Sequence, residues 1–438
     1  MDVSRILFVP VSRYPEGSIL CRTSTVPRLR SSCEMPFVPR LTVHIPRRFT
    51  ALPLVLLLVG LVAWPVAGAP VNTATTPAAS HVDPPEVSAQ GVYAYDLATG
   101  IVLYEKNADE RMQVGSTVKV ATALVVVANA ETSEEVLIQE DDTVDITVYS
   151  NMQLQAGDTL TVGTLLYGLL IPSGNDGALA LARHVGSKMC GCDDRDEAVA
   201  TFVQAMNDYA AELGLENTRF SRPDGVDAEN TYSTAHDIAI LFGELMKNEY
   251  LAGIVAEPAY QFVSAGPERR TYQEDTTNQL LGQVGVVGGK TGTTEAAGGC
   301  VVLARQVNGG SNTVITAVLG SDVQYDENSI IVDGSDRRWD DARAIFSAMD
   351  EQYAWVVPGS EGTFPGLAEE MAVWQVQFAN APTIPYPRSG VETAYQLVLG
   401  GDGGESGAVR LYYDQAQVGS VPVSSISAVA DPRQQVVR

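Results

Sequence analysis

The sequence predicts an α+β chain that ends in a small all-β domain. Strand patterns flank a central region whose middle is helical, with one helix apolar on nearly every face. From about residue 352 the chain changes to short alternating strands separated by turn residues.

The first 69 residues hold eight arginines, no lysine, and only Asp2, Glu16 and Glu34 as acids. Arg47 and Arg48 precede ALPLVLLLVGLVAWPVAGA, which ends in the small residues Ala67-Gly68-Ala69. A charged start, an apolar run and a small-residue cleavage site make a secretory signal. Residues 1–69 therefore read as an export segment, with the mature chain starting near Pro70. Pro53, Gly60 and Pro65 leave the run short for a bilayer span. No cysteine at the junction offers a lipid anchor, and Met35 offers a second start that would leave a signal of more ordinary length. Residues 70–87, rich in Pro, Thr and Ala, read as a linker.

Residues 88–351 read as one domain. GVYAYDLATGIVLYEKNAD gives two strands around the Ala98-Thr99-Gly100 turn. STVKVATALVVVANA, Ser116 to Ala130, is apolar on nearly every face, so a helix here is buried on all sides, and its one charged residue is Lys119. Residues 132–165 are polar and β-like. LLYGLLIPSGNDGALALARHVG breaks at Pro172-Ser173-Gly174-Asn175, after which a helix restarts. EAVATFVQAMNDYAAELGL is an amphipathic helix with Gly214 near its end, and SRPDGVDAENTYSTAHDIAILFGELMK is a turn-rich loop followed by a helix. From Gln283 come strands QVGVVGGKTGTT, GCVVLARQ and NTVITAVLGS, the last two joined by an Asn308-Gly309-Gly310 hairpin. RRWDDARAIFSAMD closes the domain as a helix. Residues 352–438, with AYQLVLGG and GAVRLYYDQAQVGSVPV, read as the C-terminal β domain.

The formal charge is −25. Eight of the 28 basic and three of the 53 acidic residues lie in the first 69, so the remainder carries 20 against 50, or −30. Such a surface argues against nucleic acid and against anionic lipid as partners. Lysine is scarce enough that each one asks for an explanation: Lys106, Lys119, Lys188, Lys247 and Lys290. Beyond the export segment only Cys190, Cys192 and Cys300 remain, too few for a disulfide framework. MCGCDD fits a loop cystine or free thiols better than a metal site, because two thiols do not close a zinc site. No metal and no cofactor is expected.

VVGGKTGTT, Val286 to Thr294, looks at first like a phosphate cradle. A phosphate loop needs a glycine five residues before Gly289, and that residue is Val284, so the spacing excludes it. Ser116 and Lys119, three apart on a helix, lie on one face as neighbours. A serine attacks only when a base takes its proton, and a lysine serves as base only when desolvation or a nearby cation lowers its pKa. The apolar helix supplies the desolvation. Of the five lysines only Lys119 has a serine three residues before it. A histidine-based triad is not favoured: beyond the export segment there are His81 in the linker and His184 and His236 in helical stretches, with no G-x-S-x-G elbow. Ser173 and Asn175 on the helix break offer a proton relay and an amide hydrogen bond, although the same pattern also serves as a helix N-cap. Lys290-Thr291-Gly292 lies on a strand where glycine admits close approach of a substrate backbone, and Thr293 adds a hydroxyl and an N–H.

In this order S-x-x-K, S-x-N and K-T-G are the motifs of penicillin-binding proteins and serine β-lactamases. The chain resembles the secreted D-alanyl-D-alanine carboxypeptidases, the low-molecular-mass penicillin-binding proteins. The resemblance extends through TGIVLYEKNADERM, FSRPDGVDAENTYSTAHDIA and KTGTTEAAGGC, over roughly residues 88–350. Departures are Val114 where proline is common, and insertion-like segments MCGCDDRDE and YDENSIIVDGSD. The amphipathic C-terminal anchor of many relatives is not visible in SSISAVADPRQQVVR, so peripheral or N-terminal membrane association stays open.

The resemblance implies an antiparallel sheet covered by helices with a helical subdomain beside it, and the site at their junction. It implies Ser116 as nucleophile, Lys119 as its base and Ser173 as the proton relay to the leaving D-alanine. Asn175 would hold the peptide amide of a peptidoglycan stem peptide ending in D-Ala-D-Ala. Lys290, Thr291 and Thr293 would grip the terminal carboxylate beside Gly292, with the N–H groups of Ser116 and Thr293 as oxyanion hole. β-Lactams would be covalent inhibitors, and the enzyme would work outside the cytoplasm, in the cell envelope. A D,D-endopeptidase, a serine β-lactamase and an idle wall-binding module remain as alternatives. No E-x-x-L-N for a β-lactamase stands between the second and third motifs; ELGLEN has the wrong spacing.

Overall fold

The computed structural model describes residues 85–426, apart from 267, 328–329, 381 and 401–405. The expected export segment (1–69) and nearly all of the expected linker lie outside the described residues.

The chain runs β1 (Gly91–Asp96), β2 (Val102–Lys106), a 3-10 turn (Gly115–Val118), α1 (Lys119–Asn129), β3 (Glu135–Leu137), β4 (Thr159–Thr161), α2 (Val162–Leu170), α3 (Asn175–Cys190) and α4 (Arg195–Glu212). It continues through α5 (Ala235–Lys247), α6 (Glu249–Val255), β5 (Ala259–Val263), β6 (Thr271–Asp275), β7 (Val286–Thr294), β8 (Gly298–Val307), β9 (Asn312–Ser321) and α7 (Arg338–Gln352). The last region holds β10 (Tyr353–Val356), α8 (Leu367–Val373), β11 (Val376–Phe378), β12 (Ile384–Pro387), β13 (Thr393–Leu399), β14 (Ser406–Tyr413) and β15 (Ala416–Ser425).

Five strands form an antiparallel sheet in the order β2-β1-β9-β8-β7. Successive side chains on a strand point to opposite faces, and here both faces are buried. Tyr93, Val302, Ala304, Ile315 and Ala317 join the core shared with α1 and α5. Val92, Val301, Leu303, Val314 and Val318 meet Trp339, Ile345 and Phe346 of α7 on the other face. That is why these strands read as continuous apolar runs and not as alternating ones. The expected α+β architecture, an antiparallel sheet covered by helices, is what the chain forms.

α1 explains the unusual apolar run: every residue from Lys119 to Val126 is buried. Its flanks are taken by α2, α3, α4 and α5, the helical layer beside the sheet. Ser116 precedes the α-helix, on the 3-10 turn whose tighter winding is common at helix starts. The expected break between α2 and α3 falls at Ile171–Gly174, with Asn175 opening α3. Asp176 fixes this start: its carboxylate accepts the N–H groups of Met152 at 3.0 Å and Leu154 at 3.0 Å.

Cys190 and Cys192 are joined by a disulfide across the left-handed Gly191 that ends α3, while Cys300 is a buried free thiol. Beyond α7, a four-stranded antiparallel sheet in the order β11-β15-β14-β13 and a β10–β12 pair surround Phe364, Leu367, Val409, Leu411 and Val421. Ile101, beside the β1–β2 turn, belongs to this same cluster. Asn312 Nδ2 donates to the Thr383 carbonyl at 3.1 Å and to buried Asp96 at 3.3 Å. The β-rich region therefore docks at the end of the main sheet where Asp96, Val307 and Asn312 lie, and β7 carries Lys290–Thr294 toward the opposite end. Among the described residues no helix is long and apolar enough to cross a membrane.

Candidate active site

The 3-10 turn before α1 packs against β7, the edge strand of the sheet. Gly292 makes this approach possible. A Cβ there would lie 2.6 Å from the Val114 carbonyl oxygen and 2.9 Å from the Ser116 nitrogen. Ser116 is thus brought beside Thr291–Thr293, and a cleft of about 150 Å³ opens between them, lined by Ser116, Ser173, Thr277, Thr291, Thr293 and Arg338 among others.

Lys119 Nζ donates to Ser116 Oγ at 2.8 Å, to Asn175 Oδ1 at 2.6 Å and to the Asp224 main-chain carbonyl at 2.5 Å. The lysine is fully buried. Burial pushes its pKa down to about 8; the carboxylates of Asp224 and Asp176 oppose that shift and the Arg222 guanidinium adds to it. Desolvation outweighs both carboxylates, which leaves a base that is neutral in part near physiological pH. Ser116 Oγ also approaches the Asp224 carbonyl at 3.4 Å.

Across the cleft Lys290 Nζ donates to Ser173 Oγ at 2.7 Å and to the Thr291 carbonyl at 2.7 Å. It too is buried, and burial followed by repulsion from Lys119 and Arg338 holds its pKa well below the ordinary lysine value. Ser173 is buried with a left-handed φ of 68°. A non-glycine residue held in that region costs on the order of 1 kcal/mol or more, and the tight turn before α3 keeps it there. Thr291 Oγ1 shares a hydrogen bond with Thr277 Oγ1 at 2.6 Å.

All eight residues singled out in the sequence converge here: Ser116, Lys119, Ser173, Asn175, Lys290, Thr291, Gly292 and Thr293. Three contributors were not foreseen. Arg338, buried at the start of α7, donates to the carbonyls of Gly292 and Cys300 at 2.9 Å each and to Thr293 Oγ1 at 2.6 Å. The Thr293 hydroxyl is therefore engaged by a cation as well as facing the cleft. Thr277 and the Asp224 carbonyl are the other two. His184 pairs with Glu134 and His236 with Asp237, and neither histidine lines the cleft. Among the described residues no group of three or more His, Cys, Asp or Glu side chains could hold a metal ion.

Two serines, two buried lysines and the threonines Thr291 and Thr293 lie together at the edge strand, an arrangement suited to acyl transfer from a peptide that ends in a carboxylate. Comparison with known proteins agrees. A family model described as D-alanyl-D-alanine carboxypeptidase, peptidase S11, matches residues 78–323. The D-alanyl-D-alanine carboxypeptidase of Streptomyces sp. (strain K15) is 38% identical over 251 residues, 56% of this chain and 84% of that protein. D-alanyl-D-alanine carboxypeptidase DacB2 of Mycobacterium tuberculosis is 32% identical over 271 residues, 61% of this chain and 84% of that protein. The crystal structure of the Streptomyces K15 DD-transpeptidase superimposes with a TM-score of 0.55 at 36% identity, covering 61% of this chain and 98% of that one.

Proposed function

The chain belongs to the D-alanyl-D-alanine carboxypeptidase family, peptidase S11, and on that premise we propose that it is a serine-type carboxypeptidase that removes the terminal D-alanine of peptidoglycan stem peptides. The observation that carries the reading is the 2.8 Å hydrogen bond between Ser116 Oγ and a fully buried Lys119.

In this reading neutral Lys119 takes the Ser116 proton as Oγ attacks the carbonyl between the two D-alanines. The oxyanion is met by the N–H groups of Ser116 and Thr293, and preorganised donors of this kind usually provide the largest single contribution. Asn175 holds the amide on the acyl side. The proton that Lys119 took reaches the departing D-alanine nitrogen through the Ser173 hydroxyl, which Lys290 Nζ holds from 2.7 Å away without giving up its own proton. The C–N bond breaks, an ester to Ser116 remains, and water hydrolyses it to return the serine. Lys290, with the hydroxyls of Thr291 and Thr293, receives the substrate carboxylate. That anion restores the charge which burial and neighbouring cations otherwise suppress on Lys290. A β-lactam would acylate Ser116 by the same route.

The carboxylates that act on Lys119 speak against a β-lactamase. Asp224 is bound by Arg222 and Asp176 by main-chain N–H groups, which leaves neither free to activate a deacylating water. The expected signal over 1–69 and the Cys190–Cys192 disulfide support export to the cell envelope, where disulfides persist and stem peptides lie. We place the enzyme there, in wall maturation and cell shape, with peripheral or N-terminal membrane association as a further proposal. The boundaries 88–351 for the catalytic domain and 352–438 for the β domain belong to the same reading.

Incubating the purified protein with a peptide ending in D-Ala-D-Ala should release free D-alanine, and a C-terminally amidated peptide should be handled poorly. Equal cleavage of blocked or extended peptides would favour an endopeptidase. Fast penicillin turnover with no D-alanine would favour a β-lactamase, and no reaction with either would indicate an idle wall-binding module.

A further inference from the structure

The segment SRPDG holds a charged pair that the reaction above does not use. Asp224 is almost fully buried, with its carboxylate gripped at two points by Arg222: Nε to Oδ1 at 2.9 Å and Nη2 to Oδ2 at 2.6 Å. Arg222 is itself well exposed, at 42% of its side chain. Two features place this pair against the reacting atoms. The main-chain carbonyl of Asp224 accepts from Lys119 Nζ at 2.5 Å and approaches Ser116 Oγ at 3.4 Å. The next residue, Gly225, lies so close to the nucleophile's turn that a Cβ there would fall 2.3 Å from the Gly115 carbonyl oxygen. The loop is thus wedged against Ser116, and its one carboxylate enters the base's surroundings as an unavoidable neighbour.

We propose that Arg222 is a positioning residue for acylation: its two-point grip on Asp224 holds the Asp224 carbonyl against Ser116 and Lys119, and its charge offsets the carboxylate beside the base. The inference rests on the reading of Lys119 as base. An uncompensated buried carboxylate next to an amine favours the protonated amine, which cannot accept the Ser116 proton. The charged groups around Lys119 are Asp224 and Arg222 on this loop, Asp176 on α3 and Lys290 on β7; Tyr149 stands beside Arg222. Asp224 and Asp176 favour the protonated lysine, while Arg222 opposes it. Asp176 is separately occupied by main-chain N–H groups, so Arg222 is the group that compensates Asp224.

The test is the pH profile of penicillin acylation of the full chain. The wild-type rate rises with pH as Lys119 loses its proton. Arg222→Gln should move that rise to higher pH by roughly half a unit or more, because removing the cation strengthens the pull of Asp224. Arg222→Lys keeps the charge and should hold the rise near the wild-type position even where its plateau is lower. Asp224→Asn, which keeps an oxygen for the Arg222 and Val226 N–H groups, should move the rise to lower pH, and the double variant should fall between the single ones. A lower plateau with an unmoved rise in Arg222→Gln would make the arginine a mere brace and overturn the proposal, as would equal shifts in the glutamine and lysine variants. A wild type with no such rise would contradict the assignment of Lys119 as base and this inference with it.

Discussion

The two walls of the cleft each bury a lysine, yet they surround it differently. On the α1 wall Lys119 has two carboxylates acting on it, Asp224 and Asp176, and still loses much of its affinity for a proton to burial, with its pKa near 8. On the β7 wall Lys290 is equally buried, but the charges acting on it are the cations Lys119 and Arg338, which add to burial in holding its pKa well below the ordinary lysine value. The difference teaches that burial alone does not assign a role. Counter-charges hold Lys119 near the boundary where it can both take and return a proton, as the base proposed for it must. On the proposed reading, Lys290, acted on by cations only, provides an anion site that a substrate carboxylate would complete.

The largest effect should come from breaking the first wall. Lys119→Arg keeps the charge but cannot deprotonate, so acylation by penicillin should fall by about a thousandfold or more. Near-normal acylation would reduce Lys119 to an electrostatic support and erase the contrast. In the wild type acylation should rise with pH through about 8, since the lysine accepts a proton only above its pKa.

Neutralising the second wall should cost less. Lys290→Gln removes a charge-assisted bond of typically ~1.5–3 kcal/mol, so kcat/KM on a free-carboxylate peptide should drop by roughly ten- to a hundredfold. An amidated peptide should lose little more than it already lacks. Equal losses on both substrates would mean that Lys290 acts mainly by repelling charge from Lys119. Thr277→Val, which removes the 2.6 Å partner of Thr291 Oγ1, should lower kcat/KM on the free-carboxylate peptide by only about two- to fivefold, the scale of one neutral hydrogen bond. A loss as large as that of Lys290→Gln would show that hydroxyl placement, and not charge, dominates carboxylate binding.

Much of the site was legible in the sequence because its key groups are local. Ser116 and Lys119 share a helical turn, Ser173 and Asn175 share a helix break, and Lys290 to Thr293 share a strand. The order of strands and helices was legible from the same runs, whereas their layout, an antiparallel sheet covered by helices, followed from the family resemblance. What escaped depends on tertiary packing. Arg338 reaches Gly292 and Thr293 only because α7 lies across the sheet, and nothing within RRWDDARAIF marks it out. The Asp224 contribution is a main-chain carbonyl, which has no side-chain signature at all. The short strands β5 and β6, which lead to Thr277, and the helix α8 carry too few residues for periodicity to declare them. The pairing of Cys190 with Cys192 and the free state of Cys300 required the folded chain to decide between a cystine and free thiols.

The central claim is that Ser116, activated by its buried lysine neighbour, forms the acyl-enzyme. Intact mass measurement and peptide mapping after brief exposure to penicillin test it most directly. The account predicts a single adduct on Ser116 and none in Ser116→Ala. An adduct that persists in Ser116→Ala, or that maps to Ser173, would contradict it.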